Sequence, residues 1–180
     1  FAVAERYLSN LLGEDIINHY TYGIVSDGDL MEGVSFEAAE LAAVWKLGKL
    51  IYIFDDNNIS IDGRVTNVSL TDQKKKFESI GWHVLQIDAH DENQISQALI
   101  DAKNVVNQPS IIIAKSIIGK FAPNKQDTSG VHGSPLGSDE MEEFKNNIDW
   151  AGDVFNHDKE IYDYFEEKRK KDNKTFTEWT

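Results

Sequence analysis

The chain has 180 residues, 41% of them hydrophobic, which is enough for one domain with a sizeable buried core. Its formal charge of -13 argues against nucleic acid and anionic membrane surfaces as partners, so an anionic ligand has to be held through a metal ion and backbone N–H groups. Cysteine is absent, which removes disulfide, thiol-nucleophile and zinc–thiolate chemistry and fits a reducing cytoplasm, and no apolar run approaches the roughly 18 residues that span a bilayer.

The opening segment Phe1 to Gly13 has no initiator Met and does not read as a signal peptide. It puts Ala4, Leu8, Leu11 and Leu12 on one helical face, so the chain is expected to begin inside an element, as a piece of something longer. A strand is predicted near Thr21 to Ser26, ending in an Asp27-Gly28 turn. From Glu32 to Leu47, Val34, Ala38, Leu41, Ala42 and Trp45 recur at helical spacing, and Gly48 is a natural stop. The unbroken apolar run Leu50 to Phe54 reads as a parallel strand covered on both faces.

After a loop over Asp55 to Gly63, a short helix is predicted over Thr71 to Ser79 and a strand over Gly81 to Ile87. A helix over Asp91 to Val106 follows, opened by Asp91 with Gln94 placed for a capping box. Ser110 to Ala114 is another buried strand. The next 115–137 segment, with four glycines and two prolines, reads as a long loop of the functional or disordered kind. Ser138 is placed to cap a compact helix whose first turn carries Asp139 and Glu140.

Beyond Trp150 the chain turns charged. A helix over Asp158 to Lys171 gathers Ile161, Tyr164, Phe165 and Lys168 on one face, and Lys168 to Lys174 reads as a solvated exit. The expected organisation is a domain over 1–150 and a helical exit and linker over 151–180. Strands alternating with helices predict an α/β fold, a doubly wound, mostly parallel sheet with helices on both faces, and ligands outside the carboxyl ends of its strands.

Asp27 and Asn57 lie thirty positions apart, each just past a short apolar run. A carboxylate oxygen and an amide oxygen from two successive strand ends are ligands suited to a magnesium or calcium ion carrying a diphosphate. The carbonyl of Ile59 can turn to the same point and leave the rest of the octahedron to diphosphate oxygens and water. Gly28 removes a side chain where a diphosphate has to approach the backbone, and Gly33 stands near the start of the next helix. Taken singly, these features are ordinary turn chemistry; the pairing across two strands carries the reading. An EF-hand is ruled out, because Ile59 stands where that loop needs Asp or Asn. Among the histidines, His83 reads as packed or hydrogen-bonded, His19, His90 and His157 have no partner in sequence, and His132, near Gly130 and Gly133, is a site candidate. Trp45 and Trp82 read as core.

The run from Ser26 to Gly63, SDGDLMEGVSFEAAELAAVWKLGKLIYIFDDNNISIDG, closely resembles the thiamine diphosphate motif of the transketolase family. Further segments look like successive parts of that family. They are Gly81-Trp82-His83-Val84, His90-Asp91, Pro109 to Ile113, Ser116-Ile117-Ile118-Gly119 and Val131-His132-Gly133-Ser134-Pro135-Leu136-Gly137. The resemblance covers nearly everything to Trp150 and implies the thiamine diphosphate-binding fold, truncated at its N-terminal side.

By resemblance, Asp27, Asn57 and the Ile59 carbonyl are the metal ligands, for magnesium or calcium. Gly28 touches the diphosphate, Ile61 packs against thiamine diphosphate, and His132 lies near the thiazolium or diphosphate. Glu32 is similar to the family's glutamate that meets the partner subunit of a homodimer in a relay between two active sites. The implied reaction moves a two-carbon ketol unit from a ketose phosphate such as xylulose 5-phosphate to an aldose phosphate such as ribose 5-phosphate, in the pentose phosphate pathway. The aminopyrimidine-protonating glutamate and early histidines of the family lie outside this sequence, so the chain alone is expected to be inactive. Two departures stand out. Ser26 replaces the family's usual Gly, and Asp29 sits where a neutral residue is common and where a second carboxylate would repel a diphosphate unless it reaches a donor.

Dihydroxyacetone synthase shares most of these motifs, whereas the Leu30 to Ser35 and Ile59 to Gly63 runs look unlike deoxyxylulose phosphate synthase. A receiver-type signalling domain would use Asp55, Asp56, Asp88 and Lys115, but it needs an extra strand and helix between the acidic pair and the acceptor. A third reading is a dimerisation module with a vestigial cofactor site, exposing apolar surface.

Overall fold

The structure is a computed structural model that describes residues 1–152 and 155–180, so positions 153 and 154 of the expected 151–180 exit lie outside the described residues. In chain order, helix α1 (Ala2–Leu12) leads to strand β1 (Thr21–Ser26), then helices α2 (Asp27–Met31) and α3 (Gly33–Val44), strand β2 (Leu50–Asp56) and a hairpin of β3 (Ile59–Ser60) and β4 (Gly63–Arg64). Helix α4 (Gln73–Ser79), strand β5 (His83–Asp88), helix α5 (Glu92–Asn104) and strand β6 (Ser110–Lys115) complete the sheet, and α6 (Ser138–Asn147) and α7 (Lys159–Trp179) follow the long loop. The main sheet has four strands in the order β1-β2-β6-β5, and all three pairings are parallel, as the alternation predicted.

Alternating side chains of each strand build two cores. Leu50 and Phe54 of β2 and Ile111 and Ile113 of β6 pack with α3, Phe77 of α4 and Trp82. Ile51 and Ile112, between those positions, pack against Ala98 and Ala102 of α5 on the opposite face. Because β2 and β6 are central, both of their faces are covered, which is why they read as unbroken apolar runs. Trp82 is core as expected, donating its indole N–H to the Ala39 carbonyl at 2.9 Å and meeting Phe77 edge-on. His83 shares a 3.1 Å hydrogen bond with Ser110, also as expected.

Helix faces differ from the periodic pattern. In α1 the buried residues are Ala2, Glu5 and Ser9, while Leu11 and Leu12 are exposed; Glu5 is buried because Lys49 donates to it at 2.7 Å. In α3 only Ala39 and Ala42 are buried, and Val34, Leu41, Val44 and Trp45 face outward. That helix is apolar on more than one side, so spacing alone cannot choose its face, and small residues win because they let the helix approach the sheet closely. Trp45 is therefore not core.

Caps and ends also depart from expectation. The Asp27-Gly28 turn is instead the first turn of α2. Asp91 does cap α5, accepting from the backbone of Asn93 and Gln94, but the Gln94 side chain accepts from the Asp88 N–H and leaves the capping box open. Gly137 precedes α6, and the hydroxyl of Ser138 donates to Asp139 and caps nothing. The charged 168–174 run continues α7, held by pairs three and four apart such as Lys168–Asp172, Arg169–Glu166 and Lys174–Glu178.

The long loop is built, not floppy. Glu140 of α6 reaches into it and accepts from the backbone N–H groups of Asn124 and Lys125 at 2.8 and 3.0 Å, and Ala122 is fully buried beneath. Among the described residues no helix is long and apolar enough to cross a membrane.

Gly48 is a glycine for a reason other than helix termination. A Cβ there would stand 2.2 Å from the Val106 carbonyl oxygen, where α5 runs toward β6, and backbone cannot yield as a side chain tip does. Gly48→Ala is expected to cost about 1–3 kcal/mol of unfolding free energy, as overpacking does. Urea denaturation measures it, and an unchanged midpoint would mean that the two segments are not in contact.

Candidate functional site

Parallel pairing sets Ser26 of β1 opposite Asp55 of β2, and Asp56 of β2 opposite Lys115 of β6. The next residues of each strand leave the sheet at its carboxyl edge, where the connections of an open parallel sheet leave a crevice for ligands. Asp27 opens α2, Asn57 follows β2, and Ile59 begins the hairpin, against which α2 packs. A cleft of about 430 Å³ beside them is lined by Asp27, Asp56, Asn58, Gln73 and Lys115, among others.

Asp27 is only 7% exposed, and its Oδ2 is buried without a hydrogen-bond partner. Burial first, then the nearby Asp56 and Asp55 carboxylates, push its pKa from 3.8 up to about 6, against the pull of Lys115. Asp56 is matched by Lys115 at 2.6 Å. Asp55 accepts from the Ser116 hydroxyl and from the Asn57 amide N–H. Of three clustered carboxylates, then, Asp27 is the one that keeps a buried oxygen without a hydrogen-bond partner. Gln73 Oε1, a second buried oxygen without a partner, lines the same cleft.

Asn57 is buried and its orientation is fixed twice. Its Nδ2 donates to Asp55 at 2.9 Å, so its Oδ1 faces the other way and accepts from the Ile59 N–H at 2.8 Å. One lone pair of that oxygen remains for a ligand. Asn58 adopts φ +59 and its carbonyl accepts from Val65, which reverses the chain into the hairpin. Among the described residues no three His, Cys, Asp or Glu side chains are grouped to hold a metal. Carboxylate, amide and carbonyl oxygens from three different elements are nevertheless the donors that hard divalent cations take.

The other sequence-predicted residues are spread around this centre. Gly28 is exposed on α2, and a Cβ there would have Ser26 Oγ as its nearest neighbour at 4.0 Å, so packing within this chain does not require glycine. Glu32 stands exposed at the junction of α2 and α3. Ile61, 74% exposed, is at the hairpin tip, and His132 is exposed just past a turn at Ser129–Val131 in the long loop. None of Glu32, Ile61 and His132 lines the cleft beside Asp27. Sequence reasoning missed the supporting groups Ser116 and Gln73, and also His90, whose Nε2 accepts from the Ile117 N–H across a gap in sequence that no motif spans. Asp29 is satisfied locally, accepting from both the N–H and the hydroxyl of Ser26 at 2.7 and 2.9 Å; the two departures from the family pattern pair with one another.

The family model described as "Transketolase, thiamine diphosphate binding domain" matches residues 1–180. The chain belongs to that family. It is 48% identical over 165 residues to a transketolase of Buchnera aphidicola subsp. Acyrthosiphon pisum, covering 89% of this chain and 25% of that protein. It is 43% identical over 171 residues to transketolase 1 of Escherichia coli, covering 93% of this chain and 26% of that one. Among solved structures, transketolase from Leishmania mexicana superposes with a TM-score of 0.93 at 33% identity, over 99% of this chain and 27% of that chain. The chain thus spans about a quarter of the length of these relatives. The α/β architecture of the transketolase thiamine diphosphate-binding domain is the one described above, and membership of it overturns the receiver-type reading of Asp55, Asp56, Asp88 and Lys115.

In this transketolase-family domain, the raised pKa of Asp27 links to stability with a definite sign. The folded chain holds a proton that the unfolded chain releases between pH 3.8 and about 6, so stability from this group declines as pH rises through that window and stays low above it. Asp27→Asn, neutral throughout, is expected to be more stable than the native protein at pH 7–8 by about 1–3 kcal/mol, with the difference vanishing near pH 4. Urea unfolding of the metal-free protein across that range measures it. A variant that is less stable at pH 8 would show that Asp27 is compensated after all.

Proposed function

We propose that this chain is the diphosphate- and metal-holding part of a transketolase, binding thiamine diphosphate through a magnesium ion, with calcium as a substitute. The observation that carries the reading is the buried, partnerless Asp27 carboxylate beside the oriented Asn57 amide, in a chain whose family is the transketolase thiamine diphosphate binding domain. Asp27, Asn57 Oδ1 and the Ile59 carbonyl would hold the metal. Gly28 would let the diphosphate approach the backbone, Ile61 would pack on the cofactor, and His132 would close on it from the long loop. Glu32, exposed after α2, would face the partner subunit of a homodimer.

Bound there, the cofactor supplies the carbon nucleophile and electron sink for moving a two-carbon ketol unit between sugar phosphates, xylulose 5-phosphate and ribose 5-phosphate being the pair proposed. The residues of this chain contribute position and charge. Asp55, itself held by Ser116, keeps the Asn57 oxygen turned to the metal, and Lys115 pairs with Asp56, leaving Asp27 as the carboxylate whose unpartnered oxygen is offered to the cation. The short bonds from Ser26 draw the Asp29 carboxylate back and reduce its repulsion of a diphosphate. We assign the protein to the cytoplasm and the pentose phosphate pathway, with residues 1–150 as the binding domain and 151–180 as the exit toward a further domain. The apolar residues exposed on α1 and α3, together with Ile24 of β1 at 78%, are compatible with a dimerisation role beside cofactor binding.

Calorimetric titration with thiamine diphosphate is expected to show binding that requires magnesium and is lost on chelation and in Asn57→Ala. Asp55→Ala, which removes a support of the ligand, is expected to weaken metal-dependent binding about ten- to hundredfold. Affinity unchanged in Asn57→Ala would sink the ligand assignment. Because its relatives are about four times longer, the chain by itself is expected to give no ketol transfer from xylulose 5-phosphate to ribose 5-phosphate; turnover by the purified chain would contradict that.

A further inference from the structure

Two segments that the proposed site needs in register, the Ile59–Arg64 hairpin and the loop carrying His132, come from distant parts of the chain. Among the described residues one hydrogen-bonded side-chain pair joins them. Arg64 donates through Nη1 to Asp127 Oδ1 at 2.7 Å and through Nη2 to Asp127 Oδ2 at 2.6 Å, the parallel fork of a bidentate guanidinium–carboxylate pair. No other hydrogen bond joins residues 59–64 to residues 117–137.

Each end of the pair is anchored to the residue that matters. Arg64 lies opposite Ile59 in the hairpin ladder, so the guanidinium reports directly on the backbone that offers the Ile59 carbonyl. Asp127 is fixed by its own N–H, which donates to the Ile118 carbonyl at 2.9 Å. From there the chain to His132 is bonded stepwise: the Thr128 hydroxyl donates to the Lys125 carbonyl and accepts from the Gly130 N–H, and the His132 N–H donates to the Ser129 carbonyl. Asp127 also occupies a left-handed backbone conformation, φ +59, where glycine would be free of strain. An aspartate kept there supplies something a glycine lacks, and the carboxylate in the fork is that something.

We propose that Arg64 and Asp127 are positioning residues that hold the His132 loop at a fixed setting against the Ile59–Ile61 hairpin, and through it set how the two sides of the cofactor site face each other. The site role rests on the proposed function; the latch itself does not. Both side chains are close to half exposed, so the pair acts on the relative placement of two loops and adds little to global stability.

Hydrogen–deuterium exchange on the native protein, Arg64→Ala, Asp127→Asn and the double variant tests it. Asparagine tolerates the left-handed backbone, so Asp127→Asn removes the charge without adding strain. Amides of 59–64 and of 126–132 are expected to exchange about two- to fivefold faster in either single variant, with no further increase in the double and no change in β2 or β6, as loss of one exposed bidentate pair would give. High salt should reproduce the effect in the native protein alone. Faster exchange confined to the substituted segment, or none, overturns the latch. The same variants should weaken magnesium-dependent thiamine diphosphate binding by a similar factor while the melting temperature holds. Loosened loops with native affinity overturn the positioning role, whereas a native protein that binds no thiamine diphosphate refutes the proposed function and leaves the exchange result to decide the latch.

Discussion

Three carboxylates are brought together because β1 and β2 are parallel and in register at Ser26 and Asp55. Everything around the carboxyl edge of the sheet answers that crowding. Lys115 arrives on β6 to meet Asp56, and Ser116 follows it to meet Asp55, so the position of β6 between β2 and β5 is also what allows the acidic edge to exist. Asp27 is the one left over. A carboxylate with a buried, unpartnered oxygen is an unfavourable thing for a folded chain to keep, and under the proposed function it is a cost carried for a cation.

The same economy of partners orders the loops. Asn57 is turned by Asp55 and then holds the start of the hairpin, and the hairpin is tied by Arg64 to a loop that Glu140 folds from the other side. Each of these groups uses a charge or an amide to fix backbone in a region that has no sheet or helix to do so. The long loop between β6 and α6 therefore behaves as a packed body with its own buried residue, Ala122, although its glycines and prolines suggest the opposite.

Much of the fold was legible. Parallel strands buried on both faces announce themselves as apolar runs, as β2 and β6 do, and the edge strands β1 and β5 stand within one or two residues of where the alternation places them. Helix faces were not legible in α1 and α3, because apolar residues on several sides leave the buried face to be chosen by how closely the helix can approach the sheet. The charged 168–174 run looked like an exit since pairing at three and four residues stabilises a helix without any apolar signal. At the candidate site, Asp27, Gly28, Asn57 and Ile59 stand out in sequence by their place after strands, while the groups around them, Ser116 and Gln73, and the Arg64–Asp127 pair carry no local signature.

What the sequence determined by itself is whatever depends on chain-local chemistry: which segments bury on both sides, where strands end in acidic or amide residues, and the long motif shared with the transketolase family. Only the tertiary structure decided which of Asp27, Asp55 and Asp56 lacks a partner, how Asn57 is turned, and what holds the His132 loop. Those depend on which strands lie side by side. An ion pair or a hydrogen bond is set by distances of a few ångströms between residues about sixty positions apart, and no spacing along the chain contains that information.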